Sequence, residues 1–256
     1  CRERGIRCII ECVDVPCMAA QEGLSPEQAG RKARYDLFNR VMREHGFNKI
    51  AVAHNRDDQV ETVLMRLIRG TGVEGLGGIK PVRGNIIRPL LQVPRVLIEE
   101  YCHQNALNPV TDKTNFSPVY FRNRIRLELL PCLRDKYNSN IDRAVLGMAR
   151  ILSTENDFLA AVSREKFNEL AKDSGTGRLE FSVHALSKLH TAVLWRVLRL
   201  AAEHVLGDLS NLELVHIEQM CALIGKCATG KKLCLPRGLT AGIEYGRFFI
   251  AVGHKA

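Results

Sequence analysis

The chain has 256 residues, 46% hydrophobic and 25% charged, which suits a soluble globular protein of two modest domains. No apolar run approaches the roughly 18 residues of a membrane span and nothing reads as a secretory signal, so membrane-embedded and secreted classes are set aside and a cytoplasmic protein is expected. The net charge of +9 is uneven: residues 1–150 carry 24 Lys and Arg against 17 Asp and Glu, and residues 151–256 carry 13 against 11. That bias is compatible with an anionic partner such as RNA, although many enzymes are as basic.

In chain order, Cys8–Val15 reads as a strand. Ser25-Pro26-Glu27 starts a helix, with serine as cap and proline in the first turn; Ala29, Ala33, Leu37 and Val41 give its apolar stripe through His45, and Gly46 ends it. Lys49–Ala53 reads as a buried strand, followed by a helix from about Arg56 to Arg69. Gly70 to Gly78 holds five glycines in nine residues, either a plain connection or a loop that lets backbone approach a ligand. Ile86–Leu91 is a candidate strand containing Arg88, and Pro94 starts a helix to about Asn105. Val119 to about Tyr137 reads as a helix with Arg122 and Arg126 on one face and Arg124 elsewhere. By itself this arginine pair reads first as a solvated face partnered by Glu128 and Asp135, and otherwise as a phosphate clamp.

Strand–helix–strand–helix order argues for a parallel sheet with right-handed crossovers. From about Ile141 the texture changes: a long helix to Lys172, a break at Asp173–Gly177, a strand at Arg178–Val183, helices at Thr191–Leu206 and Asn211–Ile224, then a hairpin of Lys231–Pro236 and Ala241–Val252 turning at Arg237-Gly238. The expected organisation is an α/β domain over 1–140 and a smaller, mostly helical domain over 141–256. The nine cysteines include a cluster, Cys8, Cys12 and Cys17, but no Cys-x-x-Cys pair for a metal; several sit in apolar runs and read as small core residues of a reducing compartment.

The most informative stretch is His54-Asn55-Arg56-Asp57-Asp58-Gln59-Val60-Glu61-Thr62, ending in Arg69-Gly70. It follows a strand and opens a helix, so its charges arrive at the carboxyl edge of a sheet, where open α/β sheets bind ligands. On a helical wheel Asp58, Glu61, Thr62, Met65 and Arg69 share one face, and Val60, Val63, Leu64 and Leu67 the other. Two readings stand. The acids face a doubly charged polar ligand, or they complement the helix dipole while Asn55 caps it.

This stretch, with Arg69-Gly70-Thr71-Gly72, Gly75-Leu76-Gly77-Gly78, Arg88-Pro89-Leu90-Leu91, Asp112-Lys113-Thr114-Asn115 and Tyr120-Phe121-Arg122-Asn123-Arg124-Ile125-Arg126, resembles the tRNA(Ile)-lysidine synthase family of the N-type ATP-pyrophosphatase superfamily in both order and spacing. The resemblance implies a Rossmann-like, adenine-nucleotide alpha-hydrolase type fold and an ATP-dependent tRNA-modifying ligase. Such an enzyme uses ATP and Mg²⁺ to adenylate the C2 oxygen of a wobble cytidine in tRNA(Ile), and lysine then displaces AMP. By the same resemblance Asp58 and Glu61 hold lysine, and their spacing of one helical turn raises the expectation that one of them takes the proton of the attacking nitrogen. Arg122 and Arg126 stabilise phosphate or orient RNA, and His54, Arg69, Gly70 and Gly72 lie at the nucleotide. Asp57 serves the helix dipole or a metal, Asp112 and Asn115 shape a loop, and Arg31, Arg34 and Tyr35 match a family helix without a clear role. The metal ligands are not identified, and a homodimer is compatible with the family.

The superfamily's Ser-Gly-Gly-x-Asp-Ser pyrophosphate loop is not in the sequence and is expected upstream of Cys1, with the first strand, so the chain reads as part of a longer protein that by itself would bind ATP poorly and catalyse little. The family's further C-terminal tRNA-binding domain is expected to lie outside this sequence, since the residues after Val252 are too few to form it. Lys226, Lys231, Lys232, Arg237 and Arg247 suit an RNA backbone or a solubilising surface. A tRNA-thiolating ATP-pyrophosphatase and a catalytically inactive RNA-binding remnant are the alternatives; the first would call for a cysteine pair this sequence lacks.

Overall fold

The computed structural model describes residues 1, 5–110, 120–173, 177–226 and 230–252. The chain divides into two units, Cys1–Gly70 with Gly78–Leu146, and Thr71–Gly77 with Gly147–Ala256.

In the first unit, α1 (Val15–Glu22) begins where the Asp14 carboxylate accepts the Cys17 amide and ends at Gly23 in the left-handed conformation. The strand expected at Cys8–Val15 does not form: residues 6–14 have neither helix nor strand, and Ile10 is exposed. An apolar run becomes a strand only where a neighbour takes its backbone hydrogen bonds, and no described strand pairs with this one. α2 (Pro26–Glu44) opens on a capping box in which the Ser25 hydroxyl accepts from the Gln28 amide and the Gln28 side chain accepts from the Ser25 amide. Its stripe is thinner than expected, with Ala29 buried and Ala33, Leu37 and Val41 half-buried.

After β1 (Ile50–Ala51) comes α3 (Arg56–Arg69), whose apolar face is buried at Val60, Val63 and Leu64 and exposed at Leu67. The glycine-rich run beyond it is not a plain loop, because it contains a short helix, α4 (Val73–Leu76), that groups with the second unit. β2 (Val82–Arg83) and β3 (Ile86–Ile87) complete a small sheet of order β1-β3-β2. β1 and β3 are parallel, with Ile50 opposite Ile86, but β2 is antiparallel to β3. The all-parallel expectation fails here because Gly84-Asn85 joins β2 to β3 directly, and so short a connection can only return the chain antiparallel. Gly84 supplies the positive φ of that turn, +57°. The strand expected to reach Leu91 stops before Pro89, which has no N–H for a ladder. α5 (Arg95–Gln104) follows Pro94 as expected.

Residues 121–136 are helical in three pieces: α6 (Phe121–Arg124), a π turn over Ile125–Leu129, and α7 (Leu130–Lys136). Pro131, in the first turn of α7, has no N–H for the Leu127 carbonyl, and the widened turn before it makes room for the ring. Asp112, Lys113, Thr114 and Asn115 lie outside the described residues.

α8 (Ile141–Leu170) leads into the second unit. That unit has the expected helices, and the expected hairpin is part of a larger sheet. It has a five-stranded antiparallel sheet of order β4-β5-β8-β7-β6, made by β4 (Lys172–Asp173), β5 (Arg178–Ser182), β6 (Lys232–Cys234), β7 (Leu239–Glu244) and β8 (Arg247–Val252). α9 (Val183–Ser187), α10 (Thr191–Leu206) and α11 (Leu214–Gly225) accompany it. Phe181, Ile243, Phe248 and Ile250 from the sheet close on Leu198, Ile217 and Met220 from α10 and α11 in one apolar core. The run Ala241–Val252 is two strands because Tyr245 and Gly246 take φ of +49° and +73°, the geometry of a two-residue hairpin turn. None of the eight described cysteines is fully buried, so the core role expected for them does not hold.

On the outer face of the second sheet, Gly242 lies opposite Phe249. A Cβ at residue 242 would sit 2.7 Å from that ring, and the Arg178 guanidinium covers the ring at 4.0 Å. Glycine is needed here for space, not for φ. Gly242→Val should lower the unfolding free energy by about 1–3 kcal/mol, read as a lower urea midpoint with Trp195 fluorescence as probe. An unchanged midpoint would mean that the sheet yields without cost.

Candidate functional site

The site residues come from the start of α3 and from α6 with its π turn, both in the first unit. Asn55 and Asp58 form a reciprocal cap: the Asn55 side-chain oxygen accepts from the Asp58 amide at 3.1 Å, and Asp58 Oδ2 accepts from the Asn55 amide at 2.8 Å. Capping alone therefore explains one oxygen of Asp58. Asp57 caps a different helix, its carboxylate accepting the Arg95 amide at 3.2 Å at the start of α5, where Pro94 offers no side-chain cap.

Glu61 lies one turn further on and is 1% exposed. Both its oxygens are taken. Arg126 Nε donates to Oε1 at 2.6 Å and Arg126 Nη2 to Oε2 at 3.0 Å, while Arg122 Nε donates to Oε2 at 2.8 Å. Arg122 also reaches Asp58 Oδ1 at 3.2 Å, the Asp58 carbonyl at 3.3 Å and Thr62 Oγ1 at 3.4 Å. The hydrogen bond to Glu61 holds the Arg126 proton above the ordinary arginine value. The acids and arginines, read from sequence as separate pockets for lysine and phosphate, are one neutral quartet of two anions and two cations. Glu61 is not an open carboxylate; Asp58, whose side chain is 18% exposed, is the acid that solvent reaches.

Around this quartet, Arg69 stacks on the Phe121 ring at 5.0 Å, and Arg124 approaches the same ring at 5.4 Å. Gly70 is the C-cap of α3, with φ +78°. Gly72 caps α4 and belongs with the second unit. Gln59, not singled out from sequence, accepts the Ile79 amide at 2.6 Å, and Arg66 donates to the Gly78 carbonyl at 2.7 Å, so α3 fixes the end of the glycine-rich run. His54 is half-buried, and its Nδ1 has no hydrogen-bond partner. Burial pushes its pKa down; Asp58 opposes this, while Arg88, Arg122 and Arg31 add to it.

Among the described residues no three His, Cys, Asp or Glu side chains gather as a metal set, and no helix is long and apolar enough to cross a membrane. Of the basic residues named in the second unit, Lys232 pairs with Glu244, Arg237 with Asp208 and Arg247 with Glu180; Lys226 and Lys231 are exposed.

A family model described as a PP-loop domain matches residues 1–133, and the chain belongs to that family, whose fold is Rossmann-like α/β. It is also similar to proteins named tRNA(Ile)-lysidine synthase. Identity is 41% over 240 residues with that of Clostridioides difficile (strain 630), covering 93% of this chain and 52% of the relative. It is 40% over 237 residues with that of Caldanaerobacter subterraneus subsp. tengcongensis, covering 93% and 50%, and 38% over 240 residues with that of Clostridium tetani, covering 93% and 50%. The chain spans about half the length of the curated relatives it matches.

Two outcomes are expected. Glu61→Gln leaves two guanidiniums facing a neutral amide and should cost about 3 kcal/mol of stability. Arg122→Ala should cost less, because Arg126 still makes two bonds to Glu61; equal urea midpoints for the two variants would contradict the quartet. His54 has a folded pKa below the ordinary value of about 6.5, so as pH falls the unfolded chain takes up this proton first. Stability should therefore decline below about pH 6.5, until the folded pKa is passed. His54→Asn should flatten that decline in unfolding free energies measured from pH 7.5 to 5.5.

Proposed function

We propose that the protein carrying this chain is a tRNA(Ile)-lysidine synthase, with residues 1–140 as its catalytic domain and 141–256 as an accessory, substrate-binding domain. ATP adenylates the C2 oxygen of the wobble cytidine of tRNA(Ile) and releases pyrophosphate; the lysine amine then attacks C2 and displaces AMP. The observation that carries this reading is the likeness to proteins of that name over 93% of the chain, on a segment that holds the Asp58, Glu61, Arg122 and Arg126 quartet.

In this reading the quartet is a set of stored partners. A polyphosphate drawing on Arg122 and Arg126 frees carboxylate capacity for a lysine cation, so anion and cation enter a site whose net charge stays near zero. Desolvating both charges together costs less than admitting either alone. Asp58, the solvent-reached acid, contacts the lysine ammonium and is the better placed of the two to take the proton of the attacking nitrogen. Glu61 acts by holding the two arginines. Positive charge at Arg122 and Arg126 stabilises the departing pyrophosphate. His54, Arg69, Gly70 and Gly72 keep their assignment to the nucleotide edge. Mg²⁺ accompanies ATP in the family's chemistry. Asp57, Asp58 and Glu61 are committed to caps and arginines. A homodimer and cytoplasmic location belong to the same reading.

Lysine-dependent pyrophosphate release with ATP and tRNA(Ile) tests it in the protein that carries this chain. Asp58→Ala should raise the lysine KM at least tenfold, whereas an unchanged lysine KM and kcat removes Asp58 from the lysine site. Release that ignores lysine, or that requires a sulfur donor, would replace the ligase by a thiolating enzyme.

A further inference from the structure

A second arginine group lies in the first unit, outside the quartet. A cavity of about 470 Å³ is lined by Arg31 and Tyr35 of α2, Arg83 of β2, Gly84, Ile86 of β3, and Arg88. That volume is within the roughly 300–1,000 Å³ of small-molecule sites. Among the described residues three arginines line it and no carboxylate does, and none of the three forms an ion pair there.

Arg88 is the least expected of them. It is 8% exposed, its Nη1 donates to the Lys80 carbonyl at 2.7 Å, and its Nε is buried with no acceptor. A buried charged donor left without an acceptor is costly, and three converging like charges add repulsion. An anion with several oxygens relieves both. Arg31 is held over the Tyr35 ring at 4.9 Å, so less side-chain freedom is lost when it binds. Arg83 is exposed and free to close on a ligand.

We infer that the Arg31, Arg83 and Arg88 cavity binds a multiply charged phosphate anion, a di- or triphosphate, through residues distinct from the Asp58–Glu61 quartet. Guanidinium forks match phosphate oxygens, and the planar, permanently charged groups suit a small polyphosphate better than a single carboxylate. Ile86, which lines the cavity, pairs with Ile50, which places the cavity beside β1. The choice of polyphosphate over other anions rests on the ATP-dependent reading above, and both ATP and released pyrophosphate carry that chemistry.

The test is calorimetric titration of the 256-residue chain with inorganic pyrophosphate, ATP, AMP and orthophosphate at low ionic strength, without tRNA or lysine. Pyrophosphate should bind at one site, more tightly than orthophosphate. Arg31→Ala and Arg83→Ala should each weaken it about tenfold, and the double variant should abolish it. Arg164→Ala, which removes an exposed arginine of α8, should leave it unchanged. Loss of both ATP and pyrophosphate binding in the double variant assigns the cavity to bound nucleotide; loss of pyrophosphate alone assigns it to the released product. The inference is overturned if the folded chain does not bind pyrophosphate, if the double variant binds it undiminished, or if Arg164→Ala weakens it equally. Arg88→Met, checked for cooperative melting, gives an independent loss. Because these titrations contain neither lysine nor tRNA, their failure leaves the ligase reading standing, and failure of lysine-dependent turnover leaves the cavity standing.

Discussion

A carboxylate with almost no access to water survives in a fold only if its charge is met on the spot. Glu61 is met by two arginines brought from more than sixty positions away, and that requirement organises the first unit. It clamps α3 against α6 and the π turn, and it sets Asp58 and Thr62 around the Arg122 guanidinium. Arg122 precedes the π turn and Arg126 lies within it, and both reach one glutamate. Arg126 supplies the paired fork geometry, and Arg122 ties the fork to the helix cap at Asp58.

The first unit thus carries two arginine groups in opposite electrostatic conditions. The pair at Glu61 is compensated by acids and changes little in net charge unless a ligand competes for it. The trio at Arg88 has no acid beside it among the described residues, and Arg88 holds an unfilled hydrogen-bond capacity. His54 feels both groups, together with Asp58, and burial lowers its pKa.

The second unit is stabilised differently. Its core is apolar and closes between helices and an antiparallel sheet, while the outer face of that sheet is covered by a stacked guanidinium and by ion pairs such as Arg178 with Glu244. Gly242 leaves room for Phe249, and the arginine takes the place that a further layer of structure would occupy. Lys232, Arg237 and Arg247 of this unit are partnered by acids, so a nucleic-acid backbone would have to compete for them.

Sequence by itself determined what depends on neighbours a few residues away. Ser25 and Gln28 form a capping box, Asn55 caps α3, and the apolar side of α3 faces inward at Val60, Val63 and Leu64, because such contacts need only helical spacing and local hydrogen bonds. The motif residues Asp58, Glu61, Arg122 and Arg126 were legible for the same reason, through their order and spacing. Tertiary structure alone decided the rest. Cys8–Val15 had the composition of a strand but found no partner; β2 turned antiparallel at Gly84-Asn85; and Tyr245 hid a hairpin turn usually marked by Asn or Asp. Two pockets of opposite sign became one neutral quartet, and Arg83 joined Arg31 and Arg88, because pairing and burial are settled by groups distant in sequence, on which local pattern is silent.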